Sequence, residues 1–252
     1  MKRYFFEVAY LGTNYHGWQI QPNAITVQEV INTCLSTMLK TEINIAGSGR
    51  TDTGVHCKQQ YFHADLAAGI DPDDLMYKLN AMLPFDISIS SIKAVADEAH
   101  TRFDAISRSY EYHINTKKDP FSKERSYYYP KSLDIENMNQ AAALLCGDAQ
   151  DYEAFSKVKT SVNTFICTIS KAYWEQQGDK LVFNITANRF LRGMVRAIVG
   201  TLLDVGLGKK SVEDIKGIIK SKDRHQAGRA VPAHGLYLAK VVYSDIINRT
   251  SL

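Results

Sequence analysis

The sequence predicts an α+β fold made of two ferredoxin-like (RRM-like) halves, each with a mainly antiparallel sheet and helices on one face. Two observations support this prediction. The first half carries strand and helix patterns in the order β-α-β-β-α-β, and the second half partly repeats that order. We expect domains over residues 1–104 and 105–252, with the two sheets joined into one extended sheet. A chain of 252 residues can bury the core that such a fold needs.

Local patterns define the elements of the first half. A capping box of Thr26 and Glu29 begins the first helix, whose apolar residues recur at the i, i+3, i+4, i+7 spacing of an amphipathic helix as far as Leu39. Asp71 caps the second helix, and Pro72 lies in its first turn, where proline is tolerated. Strands are expected at residues 4–10, 43–46, 60–64 and 87–95.

The second half repeats part of this plan. Asp134 caps a helix that is expected to end near Cys146, and two more helices are expected at residues 189–205 and 211–220. The polar, tyrosine-rich segment 115–132 is expected to form a long loop. Strands are expected at residues 109–114, 165–174, 181–187 and 235–242.

Composition argues against several classes of protein. No apolar run approaches the roughly 20 residues that span a bilayer, so a cytoplasmic globular protein is expected. The four cysteines are scattered without a Cys-x-x-Cys pair, which predicts neither a zinc site nor a disulfide framework. The net charge of +3 is unevenly distributed, because residues 189–229 hold ten Lys and Arg against four Asp and Glu. Phosphate binding needs such a basic surface. More often, however, a cluster of Lys and Arg residues simply faces solvent.

The most informative feature is a single carboxylate in a glycine-bracketed turn. Asp52 lies in the sequence Gly-Ser-Gly-Arg-Thr-Asp-Thr-Gly-Val-His (residues 47–56), with Arg50 two residues before it and His56 four residues after it. An aspartate in such a turn can cap its own loop, share a proton with a second carboxylate, or act as a nucleophile or base. The chemistry of these residues alone leaves all three roles open.

Three competing functions can be weighed on the same residues. A dimeric aspartic protease would take one Asp-Thr-Gly loop from each subunit, but a cation as close as Arg50 keeps Asp52 charged and opposes proton sharing. A dinucleotide-binding loop needs a third glycine and a following helix, and both are missing here. A non-catalytic RNA-binding module remains an alternative, and it predicts binding without turnover.

Two further patterns suggest a binding surface. On the predicted helix 189–205, Arg189, Arg192 and Arg196 fall on one face, with small residues beside them that allow another backbone or a ligand to approach. On the strand that begins the second half, Arg108, Tyr110 and Tyr112 share one face, where tyrosines can stack on nucleic-acid bases. Ordinary cross-strand packing is the commoner use of such a row.

A series of motifs along nearly the whole chain resembles one family. The loop Gly49-Arg50-Thr51-Asp52-x-Gly54-Val55-His56 is similar to the signature loop of the tRNA pseudouridine synthase A family. Other motifs that resemble the family's lie at residues 10–21, 26–28, 79–84, 102–105, 108–112, 190–196 and 235–238. Because these motifs also occur in the family's order, the resemblance is specific.

The resemblance implies the pseudouridine synthase fold and the isomerisation of uridine to pseudouridine in tRNA. The expected targets are positions 38, 39 and 40 of the anticodon stem-loop, and the reaction is expected to need no metal and no cofactor. Members of the family are homodimers that hold one tRNA across both subunits. The expected partners are therefore tRNA and a second copy of the chain.

The resemblance also assigns roles to single residues. Asp52 matches the family's essential carboxylate, Arg196 its basic partner, and Tyr110 the tyrosine that packs on the target uracil. Arg50 matches a residue that occupies the space of the flipped-out base. Further substrate contacts are expected from Arg189, Arg192 and His56.

Overall fold

The computed structural model describes residues 1–158 and 162–244 and confirms the α+β class. Its described strands are β1 (Lys2–Tyr10), β2 (Ala46–Gly47), β3 (His56–Leu66), β4 (Ile87–Ala94), β5 (Ala105–Asn115), β6 (Tyr127–Tyr128), β7 (Gln150–Asp151), β8 (Ile166–Cys167), β9 (Ile169–Gln177), β10 (Lys180–Ala187) and β11 (Leu236–Tyr243). Its described helices are α1 (Val27–Leu39), α2 (Pro72–Met82), α3 (Ile135–Ala143), α4 (Met194–Gly206) and α5 (Asp214–Ser221). None of these helices is long and apolar enough to cross a membrane.

Contacts within the chain divide it into two compact units. The first unit contains Met1–Ile106 and the strand residues from Tyr237 onward, and the second contains Ser107–Leu236. Most of the last strand, β11, therefore belongs with the first unit, although it follows the second unit in sequence.

The first unit has the ferredoxin-like order of elements that the sequence predicts. Its strands lie in the order β4-β1-β3, and both pairings are antiparallel. Two further strands pair with the edge of β3 that faces away from β1. The short β2 pairs with it at Phe62 and His63, and β11 runs parallel to it at His56 and Cys57. The last strand thus lies beside the end of β3 that receives the Asp-containing loop.

Caps and apolar faces account for the helices of this unit. The Thr26 side chain accepts a hydrogen bond from the Glu29 backbone N–H, and the Asp71 carboxylate accepts one from the N–H of Asp73. Both predicted helix starts are therefore confirmed. On α1 the buried residues are Val27, Ile31 and Leu35, which lie on one face of the helix.

The second unit repeats the order strand, helix, strand, strand, helix with β5, α3, β9, β10 and α4. Its strands lie in the order β5-β10-β9 with antiparallel pairing, and the short β6 runs parallel to β5. Asp134 caps α3 as predicted, because its carboxylate accepts a hydrogen bond from the Asn137 N–H at 2.9 Å. Asn139 joins this helix to the sheet by two hydrogen bonds with the backbone of Trp174.

The structure corrects the predicted helix 189–205. Helix α4 begins only at Met194, because Gly193 before it has a φ of +70°, a left-handed conformation that cannot continue a right-handed helix. Arg189 and Arg192 therefore precede the helix and do not share a helical face with Arg196. The predicted stripe of three arginines is wrong.

Several other predicted elements are shorter than expected. The strand expected at 43–46 is reduced to Ala46–Gly47, and the helix that follows Asp134 ends at Ala143. The strand expected at 165–174 is interrupted at Thr168, whose N–H donates to the Asn188 side chain instead of the sheet. Helix α5 begins at Asp214, three residues later than expected.

The absence of a side chain at Gly200 in α4 allows another part of the backbone to approach the helix closely. A Cβ atom at this position would lie 1.9 Å from the carbonyl oxygen of Arg229. The neighbouring Gly228 donates its N–H to the Thr201 hydroxyl at 2.8 Å. The backbone that approaches the helix closely is therefore the chain's own segment 228–229.

Gly200→Ala is expected to lower the free energy of unfolding by about 3 kcal/mol, the upper part of the usual range for an overfilled core. The added methyl group meets a carbonyl oxygen of the backbone, which cannot move aside as a flexible side chain can. Urea unfolding followed by circular dichroism measures the change. Gly217→Ala in α5 is the matched control, because no atom lies within 4 Å of its new Cβ. Equal unfolding midpoints for the two variants would contradict this close contact.

Candidate active site

The Asp52 loop, defined as residues 47–56, leads from β2 into the first residue of β3. Asp52 is partly buried, Thr51 is buried and Arg50 is exposed. The Val55 N–H donates to the Asp52 carbonyl oxygen at 3.1 Å, which closes a turn. Gly54 within this turn has a φ of +76°, where a side chain would be strained. The shape of the turn thus requires a glycine at position 54.

The segment 10–18 fixes the loop on both sides of Asp52. Before it, the Tyr10 hydroxyl and the Thr51 hydroxyl lie 2.9 Å apart in a buried hydrogen bond. After it, the Gly54 N–H donates to the Tyr15 carbonyl oxygen at 3.3 Å. The carboxylate therefore projects from a main chain that is anchored one residue before it and two residues after it.

Two glycines of the same segment let the backbone approach the loop. A Cβ at Gly12 would lie 2.0 Å from the Val55 carbonyl oxygen, and one at Gly17 would lie 2.3 Å from the Thr51 carbonyl oxygen. Gly17 also has a φ of +86°, and the following Trp18 N–H donates to the Thr51 carbonyl oxygen at 3.3 Å. The spacing of glycines and aromatic residues in segment 10–18 is explained by this packing.

Asp86 supports the loop from a distance. Its carboxylate accepts hydrogen bonds from the Tyr15 hydroxyl at 2.5 Å and from the Asn14 side chain at 3.0 Å. Burial and the bond to Asp86 raise the pKa of Tyr15, so its hydroxyl stays protonated and remains a donor. Sequence reasoning missed Asp86: the motif at 10–21 marked Tyr15, but its partner lies 71 residues later.

His56 is completely buried, with 0% of its side chain exposed. Its Nδ1 accepts a hydrogen bond from the Gly12 N–H at 3.0 Å, and its ring lies 4.7 Å from the ring of Tyr237. This environment favours a role in holding the loop and the last strand together. A direct substrate contact by His56 stays a prediction from the resemblance.

In the second unit, Tyr110 lies on β5 and is partly exposed. The Phe190 ring meets it edge to face, with centroids 5.0 Å apart and an interplanar angle of 84°. Arg108 on the same strand donates to the Asn188 carbonyl oxygen at 3.1 Å. Segment 188–190, which follows β10, therefore fixes the surroundings of Tyr110, and one side of that ring is already in aromatic contact.

Tyr112 is a core residue. It is 0% exposed, and its hydroxyl donates to the Pro232 carbonyl oxygen at 2.8 Å. Burial raises its pKa above the usual value for tyrosine. A Cβ on Gly235 would lie 2.8 Å from the Tyr112 ring, which explains the glycine there. Of the two tyrosines expected to stack on bases, only Tyr110 has an exposed surface for it.

Arg196 lies in the first turn of α4 and is held at both its side chain and its main chain. Its Nε donates to the Val231 carbonyl oxygen at 2.7 Å, and the Val231 N–H donates to the Arg196 carbonyl oxygen at 3.1 Å. Arg189 and Arg192 lie in the loop before this helix, where the Arg192 carbonyl oxygen accepts from the Lys157 N–H. Among the residues that the structure describes, no three His, Cys, Asp or Glu side chains are grouped as metal ligands would be.

Comparison with known proteins places the chain among the isomerases that act on tRNA. Residues 7–104 and 141–244, well over half of the chain, match the family model described as tRNA pseudouridine synthase. The chain belongs to this family. The Asp52 loop and segment 10–18 both lie within the matched residues.

Similarity to individual relatives extends over almost the full length. A protein of Parabacteroides distasonis named tRNA pseudouridine synthase A is 48% identical over 248 residues, which are 97% of each chain. Proteins of the same name are 47% identical in Bacteroides thetaiotaomicron, over 98% of this chain and 93% of the relative, and 38% identical in Bacillus subtilis, over 94% and 98%. The resemblance found in the motifs is therefore confirmed.

Proposed function

We propose that this tRNA pseudouridine synthase converts uridine to pseudouridine at positions 38, 39 and 40 of the tRNA anticodon stem-loop, with Asp52 as the nucleophile. The observation that carries the proposal is the anchoring of the Asp52 loop by Tyr10, Gly12, Tyr15 and Gly17. A carboxylate that attacks a substrate must be held in a productive geometry before the substrate arrives.

The reaction needs no net oxidation and no added group. The N1–C1′ glycosidic bond of the target uridine breaks, the base turns within the site, and C5 bonds to C1′. The C5 proton leaves and N1 gains a proton, so the product is an isomer of the substrate. Asp52 adds to the target nucleotide and leaves again, and it is therefore unchanged after each turnover.

Two residues of the second unit complete the proposed catalytic set. Arg196 supplies a positive charge for the Asp52 carboxylate once a bound base excludes water, and an ionised group in such a place needs a cation. A hydrogen bond from its Nε to the Val231 carbonyl oxygen holds its side chain in place. Tyr110 packs on the target uracil, and the edge contact from Phe190 supports its ring.

The target base must leave the helical stack to reach Asp52, which costs a few kcal/mol. Arg50 occupies the space that the base leaves, consistent with its exposure beside Asp52. Arg189, Arg192 and the basic residues that follow bind phosphates and offset that cost. The protein acts in the cytoplasm as a homodimer, and sedimentation equilibrium tests the dimer.

Tyr110→Ala is expected to lower kcat/KM about 5- to 150-fold, which is what the loss of one base–aromatic stack of about 1–3 kcal/mol produces. Tyr110→Phe keeps the ring and is expected to retain the stacking contribution. The measurement is single-turnover pseudouridine formation. Tyr173→Ala on β9 removes an exposed tyrosine of the same unit and is the control. An effect of Tyr173→Ala as large as that of Tyr110→Ala would contradict the assignment.

The test of the overall proposal uses an unmodified tRNA transcript with uridine at positions 38, 39 and 40. Incubation with the purified protein is expected to give pseudouridine at these positions, detected by chemical mapping. Modification only at other positions would refute the proposed targets. Tight binding without any pseudouridine would instead favour the non-catalytic RNA-binding module.

A further inference from the structure

A cationic and aromatic loop follows β5 in the second unit, and the proposed function gives its residues no role. The Phe121 loop, defined as residues 116–131, holds five Lys and Arg against two Asp and Glu, an excess of three positive charges. This excess equals the net charge of the entire 252-residue chain. The loop also carries four aromatic residues, of which Phe121 is 83% exposed.

Phe121 is held in its exposed position by the loop itself. The Asp119 carboxylate accepts hydrogen bonds from the Phe121 N–H at 3.0 Å and from the Ser122 hydroxyl. Arg125 donates to the Phe121 carbonyl oxygen at 2.6 Å. The hydrogen bond from Ser122 lowers the pKa of Asp119, so this acceptor stays ionised at neutral pH. A short turn thus fixes the backbone on which the phenyl ring stands.

Both ends of the loop are attached to the second unit, one to the turn between β9 and β10 and the other to strand β5. At the first end, the Thr116 N–H donates to the Asp179 carbonyl oxygen at 2.9 Å. At the second end, Tyr127 and Tyr128 pair with the last residues of β5. The turn that carries Phe121 therefore lies between two hydrogen-bonded attachments. An exposed aromatic ring on a hydrogen-bonded turn, with exposed lysines two and three residues away in sequence, is suited to stacking on an unpaired base between phosphates.

We propose that the Phe121 loop is a second RNA-binding element, in which Phe121 stacks on an unpaired base of the tRNA and Lys118 and Lys123 bind adjacent phosphates. The proposal rests on the proposed function for the identity of the RNA. The strand from Tyr110 to Asn115 spans about 17 Å at 3.3 Å per residue, and Phe121 lies six residues beyond its end. The nucleotide proposed for Phe121 is a different one from the uridine that Tyr110 receives.

The first test compares the Kd of Phe121→Ala, Phe121→Trp and the wild type for an unmodified tRNA transcript at fixed salt. Phe121→Ala is expected to raise Kd about tenfold, because one base–aromatic stack is lost. Phe121→Trp is expected to restore wild-type binding, and kcat at saturating tRNA is expected to stay unchanged in both. Tyr77→Ala is the control, because Tyr77 is equally aromatic and 77% exposed but lies on α2 of the first unit. Wild-type Kd for Phe121→Ala would overturn the proposal.

The second test uses the double variant Lys118→Ala, Lys123→Ala and measures Kd between 50 and 300 mM salt. The slope of log Kd against log salt is expected to fall by about 1.4, since two phosphate contacts are lost and each contact on a single strand contributes about 0.7. Phe121→Ala is expected to leave this slope unchanged. An unchanged slope in the double variant, or a loss of self-association by Phe121→Ala with normal RNA binding, would overturn the proposal in favour of a protein contact.

These readouts separate the two proposals. Binding is measured without turnover, so a protein that binds tRNA through Phe121 but forms no pseudouridine would refute the proposed function alone. A protein that forms pseudouridine and binds tRNA equally well with or without Phe121 would refute the second binding element alone.

Discussion

Asp52→Asn is expected to slow pseudouridine formation by about 10⁴-fold or more, the scale on which the loss of a nucleophile acts in enzymes. The amide has nearly the shape of the carboxylate but cannot form the bond that the proposed mechanism assigns to Asp52. Single-turnover release of tritium from tRNA labelled at C5 of uridine measures the rate directly. The Kd for tRNA is expected to change little, because phosphate contacts dominate affinity.

The loop is expected to survive this substitution. Hydrogen bonds of the Thr51 hydroxyl and of the main chain of Thr51 and Gly54 anchor it on either side of Asp52, and the substitution leaves these bonds in place. Thr53→Ala changes the exposed neighbouring side chain and serves as the control, with near-normal turnover expected. Turnover by Asp52→Asn within tenfold of the wild type would remove Asp52 from the chemistry.

Gly17→Ala is the second substitution for which we expect a large effect. Its Cβ would lie 2.3 Å from the Thr51 carbonyl oxygen and 3.2 Å from the Asp52 carbonyl carbon, so the loop must move. Turnover is expected to fall at least about 100-fold, because a displacement of about 1 Å at a catalytic group has that effect. The left-handed conformation of Gly17 adds about 1–2 kcal/mol of destabilisation.

Gly178→Ala separates the effect of backbone strain on stability from the effect of the Thr51 contact on turnover. Gly178 turns the hairpin between β9 and β10 with a φ of +59°, and no atom lies within 4 Å of a Cβ placed there. An alanine there is also strained by a positive φ, but it makes no contact with Thr51. Urea unfolding is expected to show a loss of stability in both variants, while single-turnover assays show a loss of rate only in Gly17→Ala. Equal rates in both would show that the loop does not depend on Gly17.

Much of the fold could be predicted because its signals are local. Thr26, Asp71 and Asp134 each cap a helix within three residues of themselves, and all three caps are present. The start of α4 could not be predicted in this way. Residues 189–205 continue a helical pattern, and only the left-handed backbone of Gly193, which the pattern does not reveal, delays the helix to Met194.

The candidate site likewise contains features that local sequence patterns predict and features that they do not predict. Asp52 is recognisable from sequence because its glycines, arginine and histidine lie within ten residues. The support that Asp86 gives through Tyr15 joins positions far apart in the chain, and no spacing rule connects them. The burial of His56 and Tyr112 likewise depends on strands that meet only in the folded molecule.

The place of β11 has a consequence for synthesis on the ribosome. This strand pairs with His56 and Cys57, next to the Asp52 loop, although residues 1–235 are translated before it. The Tyr237 ring beside His56 is thus among the last neighbours that the loop acquires. A nascent chain, or a product of premature termination before residue 236, contains the whole Asp52 loop but lacks the strand that pairs with its last residue, His56.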